Sequence, residues 1–342
     1  MSAARIWTIA RLELMQRLRS AGWYVLLGVF ALVMLIATVL SFLAFSFQPQ
    51  ASAGIYSVIV MLVLLLVVLI SPTLSGSSIN GDREAATLAS VQVTLASTGD
   101  IMLGKLLAAV LTGSAFLAVA VPFLLVGMLA GQVTPGALIV SLLVLAAEIV
   151  IVAAIGVGWS GLLSRPLFSV ASTYLVVAAL TVGTLIAFWL GGTAIQTETV
   201  AKHRPYDQAT GQPICDSWIE DPVRQPRFDY VWGFLAANPF VVLADATPTT
   251  YNDQGYPLDM FGQLKAGIRE AQHAPVAQVW DECASSWNSD PRPTPEETIE
   301  SSTPSWFVGL AIQIALAAGL FAGAWARTRT PARRLPPGTR IA

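Results

Sequence analysis

Charge is what this sequence has least of. Asp, Glu, Lys and Arg make up 12% of its 342 residues against 55% hydrophobic residues, and the mean hydropathy is +0.65. No water-soluble domain of this length could present such a composition to solvent. Histidine and cysteine occur twice each, and all four (His203, Cys215, His273, Cys283) fall within residues 191–304. Their spacing matches no zinc-finger or catalytic-metal pattern. H-E-x-x-H and G-x-S-x-G are both absent, so no hydrolytic motif is present. Gly99–Lys105 fits G-x4-G-K, but Leu106 stands where a phosphate loop needs Ser or Thr, and no strand precedes it. The chain itself is therefore expected to bind no cofactor, metal or nucleic acid and to be no enzyme.

What is present is a set of long apolar runs. Trp23–Phe47, Ile55–Ile79, Leu106–Ala130, Ala137–Leu163, Leu167–Leu190 and Ser305–Ala326 can each cross a hydrocarbon core about 30 Å thick as helix. The expected fold is an all-α polytopic membrane protein with six transmembrane helices. Ala51-Ser52-Ala53 has the form of a signal-cleavage site, but the run before it exceeds the roughly 7–15 residues of a signal core. It reads instead as the first span.

Lys and Arg set the orientation. Twelve lie in residues 1–22, 81–105, 164–166 and 327–342, which share one side; the short loops 48–54 and 131–136 on the other side have none. Both termini are expected in the cytoplasm of a multi-pass cell-membrane protein. Charge divides with the bases, about +8 on that side and −9 in the long loop 191–304. The basic face suits anionic lipid headgroups or serves simply as positive anchors.

In chain order, residues 1–22 hold an interfacial helix with Trp7, Ala10, Leu14 and Leu18 on one face and Arg11 and Arg17 at its margins, where they can snorkel to the headgroups. Residues 23–190 carry five spans. Pro72 should kink the second. Glu148, in the fourth, is the acid placed well inside a span, at a cost of about 2.5–3.5 kcal/mol if ionised. It must face protein or water, with a hydroxyl, the backbone, a water, a second subunit or a substrate cation as partner. Gly156, Gly158 and Gly161 suggest a tight helix seam. Trp23, Trp189, Trp306 and Trp325 fall where aromatic belts are expected.

Residues 191–304 form an extracytoplasmic domain holding 12 of the 20 prolines. Within it, 228–246 is apolar enough to suggest a seventh span. Asn238-Pro239 breaks it, and a crossing would put the Arg-rich tail outside, so it reads as a helix pair packed on the outer membrane face. Leu258–His273 reads as an amphipathic helix. Cys215 and Cys283, alone in an oxidising compartment, imply one disulfide. Residues 305–326 are the sixth span and 327–342 a basic tail.

The segment 81–105 between spans two and three is polar, with Leu88, Val91 and Leu95 at helical spacing and Asp82 and Glu84 in the first turn. Arg83, Glu84, Thr87, Leu88, Thr94, Ser97, Asp100, Gly104 and Lys105 fall in step with the cytoplasmic coupling segment of ABC-2 type exporter permeases. The segment resembles that family's, with Ala86 where the pattern has Gly and Leu95 where it has Pro. The N-terminal helix looks like the family's elbow helix. The resemblance implies a half-transporter with a second permease subunit, homodimeric or heterodimeric, and cytoplasmic ATP-binding subunits carrying ATP and Mg. In that reading Glu84, Thr87, Leu88, Val91 and Leu95 dock the ATPase, and Glu148 borders the pathway. The alternative is a sensory or assembly protein whose acidic outer domain binds a ligand or partner.

Overall fold

The structure, a computed structural model, describes residues 1–45, 53–86, 96–131, 133–283 and 293–328. Among these, six helices are long and apolar enough to cross a membrane. Helix α1 (Ala3–Leu18) precedes the first span, α2 (Ala21–Phe45). The second span is α3 (Ala53–Ser75), continued through a turn by the short α4 (Asn80–Glu84). The third and fourth are α5 (Thr98–Ala130) and α6 (Pro135–Leu162). The fifth is α7 (Pro166–Ala178) joined to α8 (Thr184–Ala194) by a π-turn, and the sixth is α13 (Ser305–Thr328).

Burial orders the bundle. In spans two and four 61% and 56% of the apolar window is buried, against 22–33% in the other four, so those two form the centre. Their side chains account for most of the core, with Tyr56, Ile59, Leu64, Leu145 and Ile149 fully enclosed. The glycine seam of span four is used on two sides. A side chain at Gly156 would strike Ser75 of span two, and side chains at Gly158 and Gly161 would strike Leu320 and Ala324 of span six. Trp23 belongs to no belt: it packs edge-on to Phe116 at 5.2 Å inside the core. Trp189 and Trp306 stay exposed.

The expectation of an all-α chain is corrected beyond the fifth span. Strands β1 (Gln196–His203), β2 (Ile219–Pro226) and β3 (Gln278–Trp280) form a sheet of order β2-β1-β3. β1 and β2 are antiparallel, with Gln196 opposite Pro226 and His203 opposite Ile219, and β3 lies parallel to β1. Little of this sheet is buried, so packing is not what holds it. The Cys215–Cys283 disulfide is present. Beside it Arg204 stacks 3.5 Å over the Trp218 ring, donates to Asp281 at 2.8 Å and donates to the Cys215 carbonyl at 2.7 Å.

Residues 228–246 do form a helix pair, α9 (Trp232–Ala236) and α10 (Pro239–Ala246). It is not laid on a face of the bundle, as expected, but inserted into it. Asn238, at the tip, donates through Nδ2 to the Thr181 carbonyl (2.7 Å) and Thr184 Oγ1 (3.0 Å), while its Oδ1 caps α10 at Phe240 N. Thr181 lies in the π-turn Ala179–Gly183, where the regular helical ladder is interrupted, and Asn238 supplies a donor there. Thr184 is ten residues before the end of α8, so the tip reaches about 15 Å along the span at 1.5 Å per residue. Span six makes room at Gly309, where any side chain would collide with the Ala236 carbonyl.

The pair is fastened by α11 (Met260–Glu270) and α12 (Pro295–Ser301). Asp259 caps α11 at Gly262 N (2.7 Å); of Met260, Leu264 and Ile268, which recur at helical spacing, Ile268 is buried and Leu264 half-buried, but Met260 is exposed and Phe261 takes its place in the core. Arg269 forms a two-pronged pair with Asp245 at 2.8 and 3.1 Å and donates to the Ser302 carbonyl at 3.0 Å. Asp245 also accepts from Ser305 N and Trp306 N at 2.7 and 2.9 Å, capping the sixth span. Lys265 donates to the Thr247 carbonyl at 2.7 Å; burial pushes its ammonium below the ordinary lysine range and Asp245 opposes that. Replacing Arg269 by Met leaves Asp245 buried without its ion-pair partner. The expected cost is about 3–5 kcal/mol, and the double variant D245N/R269M should cost less than the single one. Thermal unfolding in lipid nanodiscs measures both.

Candidate coupling site

Chain segments far apart in sequence converge at the end of the bundle that holds α1 and the last turn of α13. Lys105 sits two turns into span three with its side chain 3% exposed. An ammonium removed from water is costly unless compensated. Its Nζ is paired with Glu13 of α1 at 2.5 Å and with Asp82 of α4 at 2.7 Å. One buried cation thus joins the N-terminal helix, the exit of span two and the entry of span three.

Helix α1 is correspondingly packed against the bundle along one side. Trp7 and Leu18 are exposed, whereas Ala10 is buried and Glu13 and Arg17 turn toward the bundle. The expectation that Arg17 snorkels to headgroups is corrected: its Nη1 donates to Thr112 Oγ1 at 2.6 Å and its Nη2 to the Leu74 carbonyl at 2.8 Å. Leu74 lies in the last turn of α3, where carbonyls lack helical partners, and the guanidinium supplies one. Burial pushes the Arg17 guanidinium below its ordinary value, with Glu13 opposing. Gly104 allows α1 to lie this close, since a side chain there would strike Ile9.

The two flanks of the segment 81–105 are fixed in a similar way. On the first, Ser160 of span four accepts from Ile79 N (2.7 Å) and Asn80 N (3.2 Å), capping α4, and donates to Asn80 Oδ1. Arg83 then reaches the Gly161 carbonyl at 3.3 Å and Thr328 Oγ1 at 3.1 Å, tying spans four and six to the same turn. On the second flank Ser97 and Asp100 form a capping box at the start of α5, and Asp100 Oδ1 also accepts from Ser2 N at 2.8 Å. Between the flanks, Ala86 has φ +56°, the left-handed region that favours glycine.

Of the residues expected to dock a partner, Glu84 is exposed and borders an open cleft of about 620 Å³ with Arg83, Ser164, Arg165, Pro166 and Leu167. Thr87, Leu88, Val91 and Leu95 lie outside the described residues. Glu148 is elsewhere, enclosed at mid-span between spans four and six. The pairing of Lys105 with Glu13 and Asp82 is the feature that sequence reasoning missed. Its signal was a lysine inside an apolar run with an acid in each neighbouring polar segment.

No protein-family model matches the chain, and no curated protein matches it.

Two outcomes follow from this geometry. Lys105→Met leaves two carboxylates facing each other and should cost about 3–5 kcal/mol, with part of the loss recovered by adding E13Q and D82N. Ala86→Gly relieves the left-handed strain and should stabilise by up to about 1 kcal/mol. Both are read as shifts in melting temperature.

Proposed function

We propose that this chain is the transmembrane permease subunit of an ATP-driven ABC exporter. The basic, terminus-bearing end of the bundle faces the cytoplasm, as the distribution of Lys and Arg favours. There the segment 81–105 receives force from a separate ATP-binding subunit, which supplies the ATP and Mg chemistry. The chain works beside a second permease subunit.

The observation that carries this reading is the anchoring of that segment at both flanks. A polar excursion between two spans could be a slack loop, and a slack loop transmits nothing. Here Arg83 and Asn80 fix its entry to spans four and six, while Lys105 and Asp100 fix its exit to α1. A push on the segment therefore moves several spans at once, as rigid-body switching requires. Glu84, Thr87, Leu88, Val91 and Leu95 are the docking residues in this reading, and the outer domain follows the motion through its insertion between spans five and six.

Tagged protein extracted in mild detergent should bring with it an ATP-binding subunit. Leu88→Asp and Val91→Asp, which place a charge on the apolar docking face, should abolish that recovery while the variants keep the wild-type elution volume and melting curve. If the ATP-binding subunit is absent from the wild type after crosslinking in native membranes, or is retained by both Asp variants, the coupling role is wrong.

A further inference from the structure

At the basic end of the bundle the fold leaves charges of both signs facing open space instead of each other. The cleft of about 620 Å³ beside α4 is lined by Arg83 and Glu84 from the exit of span two and by Ser164, Arg165 and Leu167 from the turn into span five. Glu84 and Arg165 are exposed, and neither forms an ion pair or side-chain hydrogen bond with any described residue. Arg83 places one N–H on the Gly161 carbonyl and one on Thr328 Oγ1, so its guanidinium is held in position with three of its five N–H groups beyond those bonds. Arg327, exposed in the last turn of α13, lies near enough for its charge to act on Arg83. Three cations thus surround one acid, and the cleft is positive.

Its height in the membrane follows from the chain. The spans α6 and α7 end and begin at Leu162 and Pro166, and the turn 163–165 between them is too short to leave the plane where the apolar helices stop. That plane is the headgroup layer. From the cleft an apolar strip continues along the outside of span five, where Leu167, Ala171, Leu175, Ala178 and Val182, recurring every three or four residues, are all exposed. At 1.5 Å per residue the strip is about 22 Å long, enough to cover the roughly 15 Å of hydrocarbon in one leaflet.

We propose that this cleft binds one anionic phospholipid from the leaflet on the basic side. Its phosphate lies between Arg83 and Arg165, where guanidinium forks match phosphate oxygens, and the exposed Ser164 hydroxyl can donate to the same group. Glu84 accepts from a headgroup hydroxyl, so the site favours a headgroup that carries donors, as phosphatidylglycerol does. An acyl chain lies along the strip on span five. A free phosphate or a nucleotide would use the arginines but leave that strip unused. Seated there, the lipid joins α4 to the start of α7 at the point where Arg83 already ties spans four and six together.

The site stands apart from the transport reading, since lipid binding needs no ATP-binding subunit. The full chain, reconstituted in nanodiscs of equal phosphatidylglycerol and phosphatidylcholine, released into mild detergent and weighed by native mass spectrometry, should keep one phosphatidylglycerol in preference to phosphatidylcholine. R165Q removes a side chain with no partner among the described residues, so it should fold as the wild type does, with the same melting curve, and retain about fivefold less phosphatidylglycerol. R11Q and R19Q remove exposed bases at the same end outside the cleft and should leave retention within about twofold of the wild type. Millimolar inorganic phosphate should not displace the lipid. Equal losses in R11Q, R19Q and R165Q would mean diffuse attraction to a basic surface, and displacement by phosphate would mean a site for soluble anions. A change of subunit stoichiometry in R165Q without any retained lipid would mean a contact between copies of the chain. Each of these outcomes overturns the proposal, as does a wild type that retains the two lipids alike or neither of them.

Discussion

A charge enclosed in protein at the edge of a membrane has to be matched within reach of its own bonds, because there is little water to screen it. Lys105 imposes that condition on this fold. Its ammonium is buried, so the acids that neutralise it must be brought to it, and they come from segments that otherwise have no reason to meet. Glu13 holds α1 against span three, and Asp82 draws the exit of span two to the same point. Once α1 is fixed there, Arg17 falls beside the end of α3 and takes up the Leu74 carbonyl. Asp100 likewise falls beside Ser2. The end of the bundle becomes one polar lattice, although each member is an ordinary ion pair or cap.

The opposite end is built by the same logic with the signs exchanged. There the enclosed charge is an acid, Asp245, and the elements gathered to it are α11, through Arg269, and the first turn of span six, through Ser305 and Trp306. Helix dipoles assist in both places. Asp245 and Asp100 each sit at a helix N-terminus, where unpaired N–H groups favour an anion. Span four touches spans two and six through small residues, Gly156, Gly158 and Gly161, close to the first of these ends, while large side chains such as Tyr56, Phe116, Leu124 and Leu145 fill the middle. The fold therefore combines two polar ends with an apolar middle of close-packed side chains.

How much of this could be read from the chain depended on whether a residue's partner was local. The spans were legible because membrane thickness fixes the length of an apolar run, and the helix pair at 228–246 because Asn238-Pro239 both breaks and caps. The disulfide followed from two cysteines in one loop. Arg17 was misplaced because an amphipathic pattern assigns arginines to headgroups, and nothing in the pattern reveals an orphan carbonyl 57 residues away. The sheet was missed for a different reason. Gln196–His203 and Ile219–Pro226 lack a buried apolar alternation, and β2 contains Pro222 and Pro226, so the strands owe their pairing to the clamp around Arg204 and Cys215 rather than to their own propensity. Gln313, whose Nε2 donates to the Ala237 carbonyl, gave no signal at all, since one amide in an apolar span has no periodicity.

The insertion of α9 and α10 connects the two ends. Its tip bonds to span five through Asn238 and to span six through Ala237, and its base is held by Asp245 and Arg269. The receiving point in span five is a π-turn, a place where the helical ladder is already interrupted, so a change of angle there sacrifices fewer backbone bonds than it would in a regular helix. Span six is tied at its other end to Arg83 through Thr328. A displacement at residues 80–84 thus has a continuous route along span six to the inserted tip, with a polar contact at each junction and no stretch of exposed loop between.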